Sequence, residues 1–233
     1  SRGREQLTVR ASRRLAADPA RTAVGPIHYE VIEPYKRVRF RLEPNPYQPI
    51  AFDWLFEAVL PPHLEERTHM RASYRLSADL VRYHQIGRAS GWIELDGRRI
   101  EMDPGSWVST RDHSWGVRYD VGLPPSDVEP SGIPPGFGFM MIWCPVLLER
   151  PDGSHYGMHL HFTRVEAPGF LHKTVTARIE HPDGSETPID DIAPRLRFDP
   201  RNRRLQGGEL DLRLRDGSAR TVTLEVLADT GVQ

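Results

Sequence analysis

The 233-residue chain carries 31 Lys and Arg against 32 Asp and Glu, so its formal charge of -1 creates no global field that favours nucleic acid or an anionic membrane. Hydrophobic residues make up 38% of the chain, and no apolar run approaches the ~20 residues that span a bilayer. Because no signal-peptide pattern is visible either, we expect a soluble, cytoplasmic protein. Nothing in the sequence indicates its oligomeric state.

Alternating apolar and polar runs in chain order predict an almost entirely β-sheet protein. Four Asp-Gly pairs between these runs favour type I′ hairpin turns, in which both central residues have positive φ. They are Asp96-Gly97, Asp152-Gly153, Asp183-Gly184 and Asp216-Gly217. The predicted strands are Gln6 to Arg13, His28 to Leu42, Ile50 to Leu60, Ser73 to Gln85, Gly91 to Leu95, Arg98 to Met102, Phe139 to Glu149, Tyr156 to Val165, Thr174 to Glu180, Leu210 to Leu214 and Val222 to Val226.

Helix is almost absent from this prediction. The stretch from Leu55 to Arg67 has room for one short helical turn, broken by Pro61-Pro62. The basic cluster from Arg197 to Arg204 is typical of a solvated loop. The single cysteine, Cys144, excludes an internal disulfide, and its apolar surroundings favour a buried, inert thiol over a nucleophile.

A proline- and glycine-rich stretch predicts the domain boundary. Residues 122–136 hold five prolines and three glycines, a composition that is incompatible with the interior of a sheet. We therefore predict a first β domain over residues 1–122, a linker over 123–136 and a second β domain over 137–233. We expect the first domain to lack its initial strands and the second its final strands.

The segment Arg82 to Arg118 resembles the AttH-like and carotenoid 1,2-hydratase family. More distantly it is similar to tocopherol cyclase and to lipocalin-like Diels–Alderases. The residues that carry the resemblance are Gln85, Gly87, Gly91, Arg118 and the RDHSWG motif, Arg111 to Gly116. Together with Gly25 to Pro44, they cover about the first half of the chain. The resemblance implies two lipocalin-like antiparallel β-barrels or sandwiches side by side, with a cavity for an isoprenoid, steroid-like or polyketide molecule and no cofactor.

The RDHSWG motif offers the ingredients for protonating an alkene. Asp112 is our candidate proton donor, His113 its acid–base partner and Trp115 an aromatic wall that stabilises a carbocation. In a regular strand, however, Asp112 lies on the opposite face from His113 and Trp115. The alternative is a structural clamp in which Arg111 and Arg118 pair with Asp112.

Further ligand-binding candidates lie on the strands around the motif and in the second half of the chain. Two histidines two residues apart, His159 and His161, share one face of a predicted strand, which is one way to begin a metal site. Because the resembling family is not built on a metal, we predict no metal; a wet strand face and a polar cavity lining remain as alternatives. The complete candidate set for ligand binding is Tyr83, Gln85, Trp92, Trp107, Trp115, Arg118, Trp143, His159 and His161.

The leading functional hypothesis is a protein that binds a hydrophobic small molecule. In its enzymatic form this hypothesis adds a cofactor-free acid–base hydration, isomerisation or cyclisation. Two rivals are a carrier without chemistry and an interaction module of a pathway complex. A carrier keeps its ligand affinity without turnover, whereas an interaction module has no sizeable internal cavity.

Overall fold

The computed structural model describes residues 11–14, 16–18, 20–72, 75–117 and 135–227, and within them it contains fourteen strands and no helix. The strands form two antiparallel sheets, one of eight strands and one of six. The predicted all-β class with two sheets is therefore confirmed. None of the described residues forms a helix with the length and hydropathy needed to cross a lipid bilayer.

The first sheet contains strands β1 to β8. Its spine is the 21-residue β6, which pairs with five other strands. The prediction divided this strand in two, at Gln85 and Gly91, whereas the structure continues it through both positions. The bounds are β1 Ile27–Glu33, β2 Arg37–Leu42, β3 Ile50–Ala58, β4 His63–Leu64, β5 Thr68–Ala72, β6 Arg75–Leu95, β7 Arg98–Met102 and β8 Val108–Val117.

The second sheet is a meander in which each strand pairs with the next along the chain. One face of β10 contributes Met158, Leu160 and Phe162 to the hydrophobic core of this sheet, while the other face carries His159 and His161. This alternation agrees with the predicted division of β10 into two faces. The bounds are β9 Gly138–Glu149, β10 His155–Ala167, β11 Phe170–Glu180, β12 Glu186–Phe198, β13 Leu205–Leu214 and β14 Ala219–Leu224.

All four Asp-Gly pairs lie in turns between paired strands, but only one turn has the predicted form. Asp96 and Gly97 both have positive φ, at 51° and 75°, as a type I′ turn requires. In the other three turns only the glycine has positive φ among the two residues. In each of these three turns the glycine N–H donates to the backbone oxygen three residues earlier, as Gly153 does to Arg150. The bond closes a four-residue turn that ends on a glycine in the left-handed region.

Three other expectations are corrected by the structure. The strand predicted over residues 28–42 is a hairpin that turns at Tyr35, whose φ is 62°. The helical turn considered between Leu55 and Arg67 is replaced by the end of β3 and by β4. The strand β12 was not predicted, and it extends into the basic cluster as far as Phe198. Its two prolines, Pro188 and Pro194, are residues that sequence reasoning reads as strand breakers.

Two predicted features fall partly or wholly outside the described residues. Residues 6–10 of the strand predicted over Gln6 to Arg13 lie outside the described part of the chain. Residues 123–134 of the predicted linker lie outside it as well. The two sheets occupy residues 27–117 and 138–224. The division into two domains stays a prediction.

The structure explains why the last residue of the RDHSWG motif is a glycine. Gly116 has a φ of +124°, and a Cβ built there would lie 2.0 Å from the backbone oxygen of Asp79 on the neighbouring strand β6. We expect Gly116→Ala to destabilise the protein by about 3 kcal/mol, because it adds a backbone clash to an unfavourable φ. Urea denaturation followed by circular dichroism measures this change.

A matched control separates the clash from the conformational strain. Gly217 also has positive φ, at +85°, but a Cβ added at this glycine would meet nothing within 4 Å. Gly217→Ala should therefore cost only about 1 kcal/mol. Equal losses of stability in the two variants would contradict our explanation of the motif glycine.

Candidate functional site

The RDHSWG motif lies in the middle of β8, which pairs with β6 so that His113 is opposite Tyr83 and Asp112 is opposite His84. Neighbouring residues of a strand point to opposite faces of the sheet. One face therefore carries His113 and Trp115 together with Tyr83, and the opposite face carries Asp112. The structure does not bring the acid and its candidate partner to one point.

The face with His113 is held together by the buried Arg111. Its guanidinium lies over the rings of Tyr29 and Tyr83, with 5.7 and 5.0 Å from Cζ to the ring centroids. It donates hydrogen bonds to Gln85 Oε1 at 3.1 Å and to the Tyr29 hydroxyl. Gln85 in turn donates from Nε2 to the backbone oxygen of Tyr35 at 2.7 Å. These contacts tie β1, β6 and β8 together.

His113 and Trp115 lie beside this group. The His113 ring stacks on Tyr83 at 5.3 Å between centroids, and burial together with the positive charge of Arg111 lowers the pKa of His113. Trp115 meets the Tyr83 ring edge at 6.3 Å and is 49% exposed. The arrangement resembles the structural clamp considered from the sequence, but its arginine bonds to a glutamine and a tyrosine.

The candidate proton donor, Asp112, is exposed to solvent. The Asp112 side chain is 39% exposed, and its Oδ1 lies 3.2 Å from Nε of Arg82. A proton donor for an alkene needs an apolar, desolvated pocket. The ion pair and the exposure of Asp112 do not provide that environment.

The opposite face of β6 meets the second sheet at a buried polar group, which we call the inter-sheet cluster: Glu65, His84, His159 and Glu180. His84 and His159 are fully buried, at 0% exposure each, and Glu180 is 4% exposed. Strand β6 supplies His84, while β10 and β11 supply His159 and Glu180. The cluster therefore exists only where the two sheets touch.

His84 lies between two carboxylates. Its Nε2 is 2.8 Å from Glu180 Oε1, and its Nδ1 is 3.3 Å from Glu65 Oε1. Burial opposes the charged imidazolium, but the hydrogen bonds to Glu180 and then Glu65 outweigh burial and raise the pKa of His84.

His159 stacks directly on His84. Their ring centroids are 3.9 Å apart, and the ring planes differ by 11°. Both ring nitrogens of His159 are buried, and neither has a hydrogen-bond partner among the described residues. Burial, followed by the charges of His84 and Arg178, lowers the pKa of His159 to about 2. His159 is therefore a neutral imidazole with two unused polar atoms.

The cluster is flanked by a second polar group. Arg178 lies opposite His159 in the register of β10 and β11, and its Nη1 is 2.7 Å from His63 Nδ1. Glu186 contacts the same His63 nitrogen and lies 3.8 Å from Arg178. Trp143 on β9 packs edge-on against the His159 ring at 6.1 Å.

A cleft of about 190 Å³ opens beside the cluster, between the two sheets. Glu65 of the cluster and His161 lie in its wall, so the cleft leads from solvent to the cluster. Eight of its nine lining residues have polar or charged side chains, and the residues are Glu65, Glu66, Arg67, Thr68, Leu80, Arg82, His161, Thr174 and Thr176.

The cluster contains a set of side chains that can hold a metal ion. Glu65, His84 and His159 each offer one ligand atom, and these atoms lie within 4.8 Å of one another. Two imidazoles and a carboxylate are ligands that suit zinc and ferrous iron.

The remaining sequence candidates lie elsewhere. Trp92 stacks under the Arg99 guanidinium at 4.3 Å, at the hairpin of β6 and β7. Trp107 precedes β8 and accepts a backbone hydrogen bond from Ala89. Arg118 lies outside the described residues. The structure thus groups Tyr83, Gln85, His113 and Trp115 on one face of the first sheet, and Trp143, His159 and His161 at the contact between the sheets.

Sequence reasoning missed Glu65, His84 and Glu180. The position of His84 between Tyr83 and Gln85 placed it on the opposite face from them, and that alternation was the available signal. No local pattern indicates that Glu65 and Glu180 meet the same imidazole, because Glu65 follows β4 and Glu180 ends β11, far apart in the chain.

The unpartnered imidazole of His159 leads to a stability prediction. In buffer with EDTA, we expect His159→Phe to raise the free energy of unfolding by about 1 kcal/mol, because an apolar ring replaces two buried polar atoms without partners. The phenyl ring also keeps the stack on His84. Urea denaturation monitored by fluorescence measures the effect.

His172→Phe is the matched control, because His172 is exposed on β11. Its stability should stay within about 0.5 kcal/mol of the wild type. A clear loss of stability in His159→Phe would mean that the imidazole makes interactions that this arrangement does not contain.

Comparison with known proteins gives a family and a distant structural neighbour. A family model described as a family of unknown function, DUF8625, matches residues 1–230. No curated protein matches the sequence. Kievitone hydratase from Nectria haematococca is 13% identical, with a TM-score of 0.46 over 86% of this chain and 56% of that chain. This chain thus spans little more than half the length of that enzyme, and so slight a likeness carries no argument about function. The resemblance to the AttH-like family stays a prediction.

Proposed function

Since the chain belongs to the family of unknown function DUF8625, we propose its function from its own geometry: it binds a small amphiphilic molecule at the cleft between the two sheets. The observation that carries this proposal is the polar cleft beside the inter-sheet cluster, which borders a partly exposed apolar face. The polar end of the ligand enters the cleft, and its apolar body lies along that face.

The cleft has donors and acceptors for a hydroxyl or carbonyl group. His161, Thr174 and Thr176 come from the second sheet, Arg82 comes from β6 of the first, and Glu65 comes from the segment that follows β4. Ligand pockets commonly measure ~300 Å³ or more, whereas this cleft holds about 190 Å³. The cleft therefore accommodates one end of a larger molecule.

The apolar face follows from the register of the second sheet. Trp143 pairs with His161, and Met141 pairs with Thr163, so these side chains share the face that carries the cluster. Phe139 and Phe170 lie on the same face by strand alternation. Met141, Phe139 and Phe170 are 58%, 59% and 55% exposed, although such residues are usually covered.

This proposal keeps the small-molecule ligand of the sequence hypothesis and moves its site. The ligand contacts Trp143 and His161 from the candidate set, whereas the face of Tyr83, Gln85 and Trp115 holds strands together. Binding without chemistry at Asp112 is favoured, because that carboxylate is exposed and paired with Arg82. The carrier form of the hypothesis therefore fits the site better than proton donation from Asp112.

The test is to fill the cleft. Freshly purified protein is examined by native mass spectrometry for a copurified small molecule, and its affinity for the amphiphilic fluorophore anilinonaphthalene sulfonate is measured by titration. We expect Thr176→Trp to lower the affinity for the fluorophore at least tenfold, since an indole occupies most of the cleft.

Thr223→Trp provides the control, because Thr223 is exposed on β14 in the same sheet, outside the cleft. It should leave the affinity unchanged. The proposal is wrong if the folded wild type neither carries a molecule nor binds the fluorophore, or if both variants bind like the wild type.

A further inference from the structure

We propose that Glu65, His84 and His159 bind one divalent first-row transition-metal ion at the contact between the two sheets. The coordination set is two imidazole nitrogens and one carboxylate oxygen, and a further position faces the cleft. This metal site goes beyond the proposed ligand binding and does not depend on it.

The contact between His84 and Glu65 calls for a cation. The hydrogen bond from Nε2 to Glu180 places one proton of His84 on that nitrogen, and carboxylates in this position commonly orient metal-binding histidines. The lone pair of Nδ1 then faces Glu65 Oε1 across 3.3 Å. Two acceptors at that distance repel each other unless a positive charge lies between them. A second proton on His84 can supply that charge, and a metal ion supplies it with stronger bonds.

His159 is the independent observation. It is fully buried, and both its ring nitrogens lack a hydrogen-bond partner within the part of the chain that the structure describes. Buried polar atoms in proteins are satisfied in the great majority of cases. A ligand ion beside His84 and Glu65 gives one of these nitrogens a partner.

The distances require only a local adjustment. Bonds of ~2.0–2.1 Å to a tetrahedral ion place its ligand atoms roughly 3.3 Å apart, whereas the three atoms here lie within 4.8 Å of one another. The two rings are also parallel at 3.9 Å, and a single ion cannot lie in both ring planes. The His159 ring therefore tilts out of the stack when the ion binds.

The charge of the surroundings favours a cation. Four carboxylates, Glu65, Asp112, Glu180 and Glu186, lie near two guanidiniums, Arg82 and Arg178. With neutral histidines this group carries two net negative charges, which a divalent ion neutralises.

Access and ligand chemistry decide the class of ion. The cleft reaches Glu65 from solvent, so an ion can enter and one coordination position can hold water or an oxygen atom of a ligand. Imidazole nitrogen suits zinc, ferrous iron and cobalt better than magnesium or calcium, which prefer oxygen ligands.

The experiment uses the full chain without a histidine tag, stripped with EDTA and desalted. Zinc is titrated in competition with a chromophoric chelator, and cobalt is titrated while the visible absorption is recorded. We expect one equivalent of zinc to bind and the cobalt complex to show the d–d bands of a four-coordinate site. His159→Phe should weaken zinc binding about 100-fold or more and abolish the cobalt bands.

His172→Phe is again the control and should bind both metals like the wild type. Because His159→Phe is expected to fold at least as well as the wild type, its loss of zinc reports on ligation. Glu65→Gln, which keeps the shape of the side chain, should weaken zinc binding as well. The proposal is overturned if the folded wild type does not compete with the chelator, or if His159→Phe retains its affinity for zinc.

The two proposals fail in different ways. A protein that binds zinc but not anilinonaphthalene sulfonate retains the metal site and loses the ligand proposal. A protein that binds the fluorophore at the cleft and not zinc does the reverse.

Discussion

One uninterrupted strand organises the first sheet and positions both polar groups. Strand β6 runs for 21 residues and pairs with five other strands along its length. Its alternation sends Tyr83 and Gln85 to the face held by Arg111, and it sends His84 to the second sheet. A shift of one residue in the pairing of β6 would exchange these two faces and remove both groups. The register of β6 therefore decides on which face each of these two polar groups lies.

The contact between the sheets contains a buried polar cluster beside apolar residues such as Leu60 and Ile86, which reach Gly157 on β10. Buried charges cost free energy to desolvate, and well-packed apolar residues often replace them without loss of stability. The cluster also includes the unpartnered nitrogens of His159, which add to that cost. Stability alone thus gives no reason for two histidines and two carboxylates at this position. A ligand or an ion that binds these side chains gives a reason for their presence, and the cleft beside Glu65 connects them with solvent.

Local patterns predicted much of the fold and little of the site. The Asp-Gly turns and the two faces of β10 follow from residues that are adjacent in sequence, so they could be predicted, although three of the turns take a different form. The continuity of β6 through Gly87 and Gly91 was missed, because glycine also marks turns and the neighbouring strands decide between the two outcomes. His159 was a candidate from its strand alone. Its contact with His84 depends on how the sheets pack, which no local pattern encodes.

The meander of the second sheet has a consequence for the order of folding. Each of its strands pairs with the next, so its contacts close short loops, whereas β6 must collect partners from both earlier and later parts of the chain. We expect the second sheet to form early and the first to complete slowly. Since His84 and His159 come from different sheets, their stacked pair then assembles in the last docking step, and partly folded chains contain neither the pair nor any site built on it.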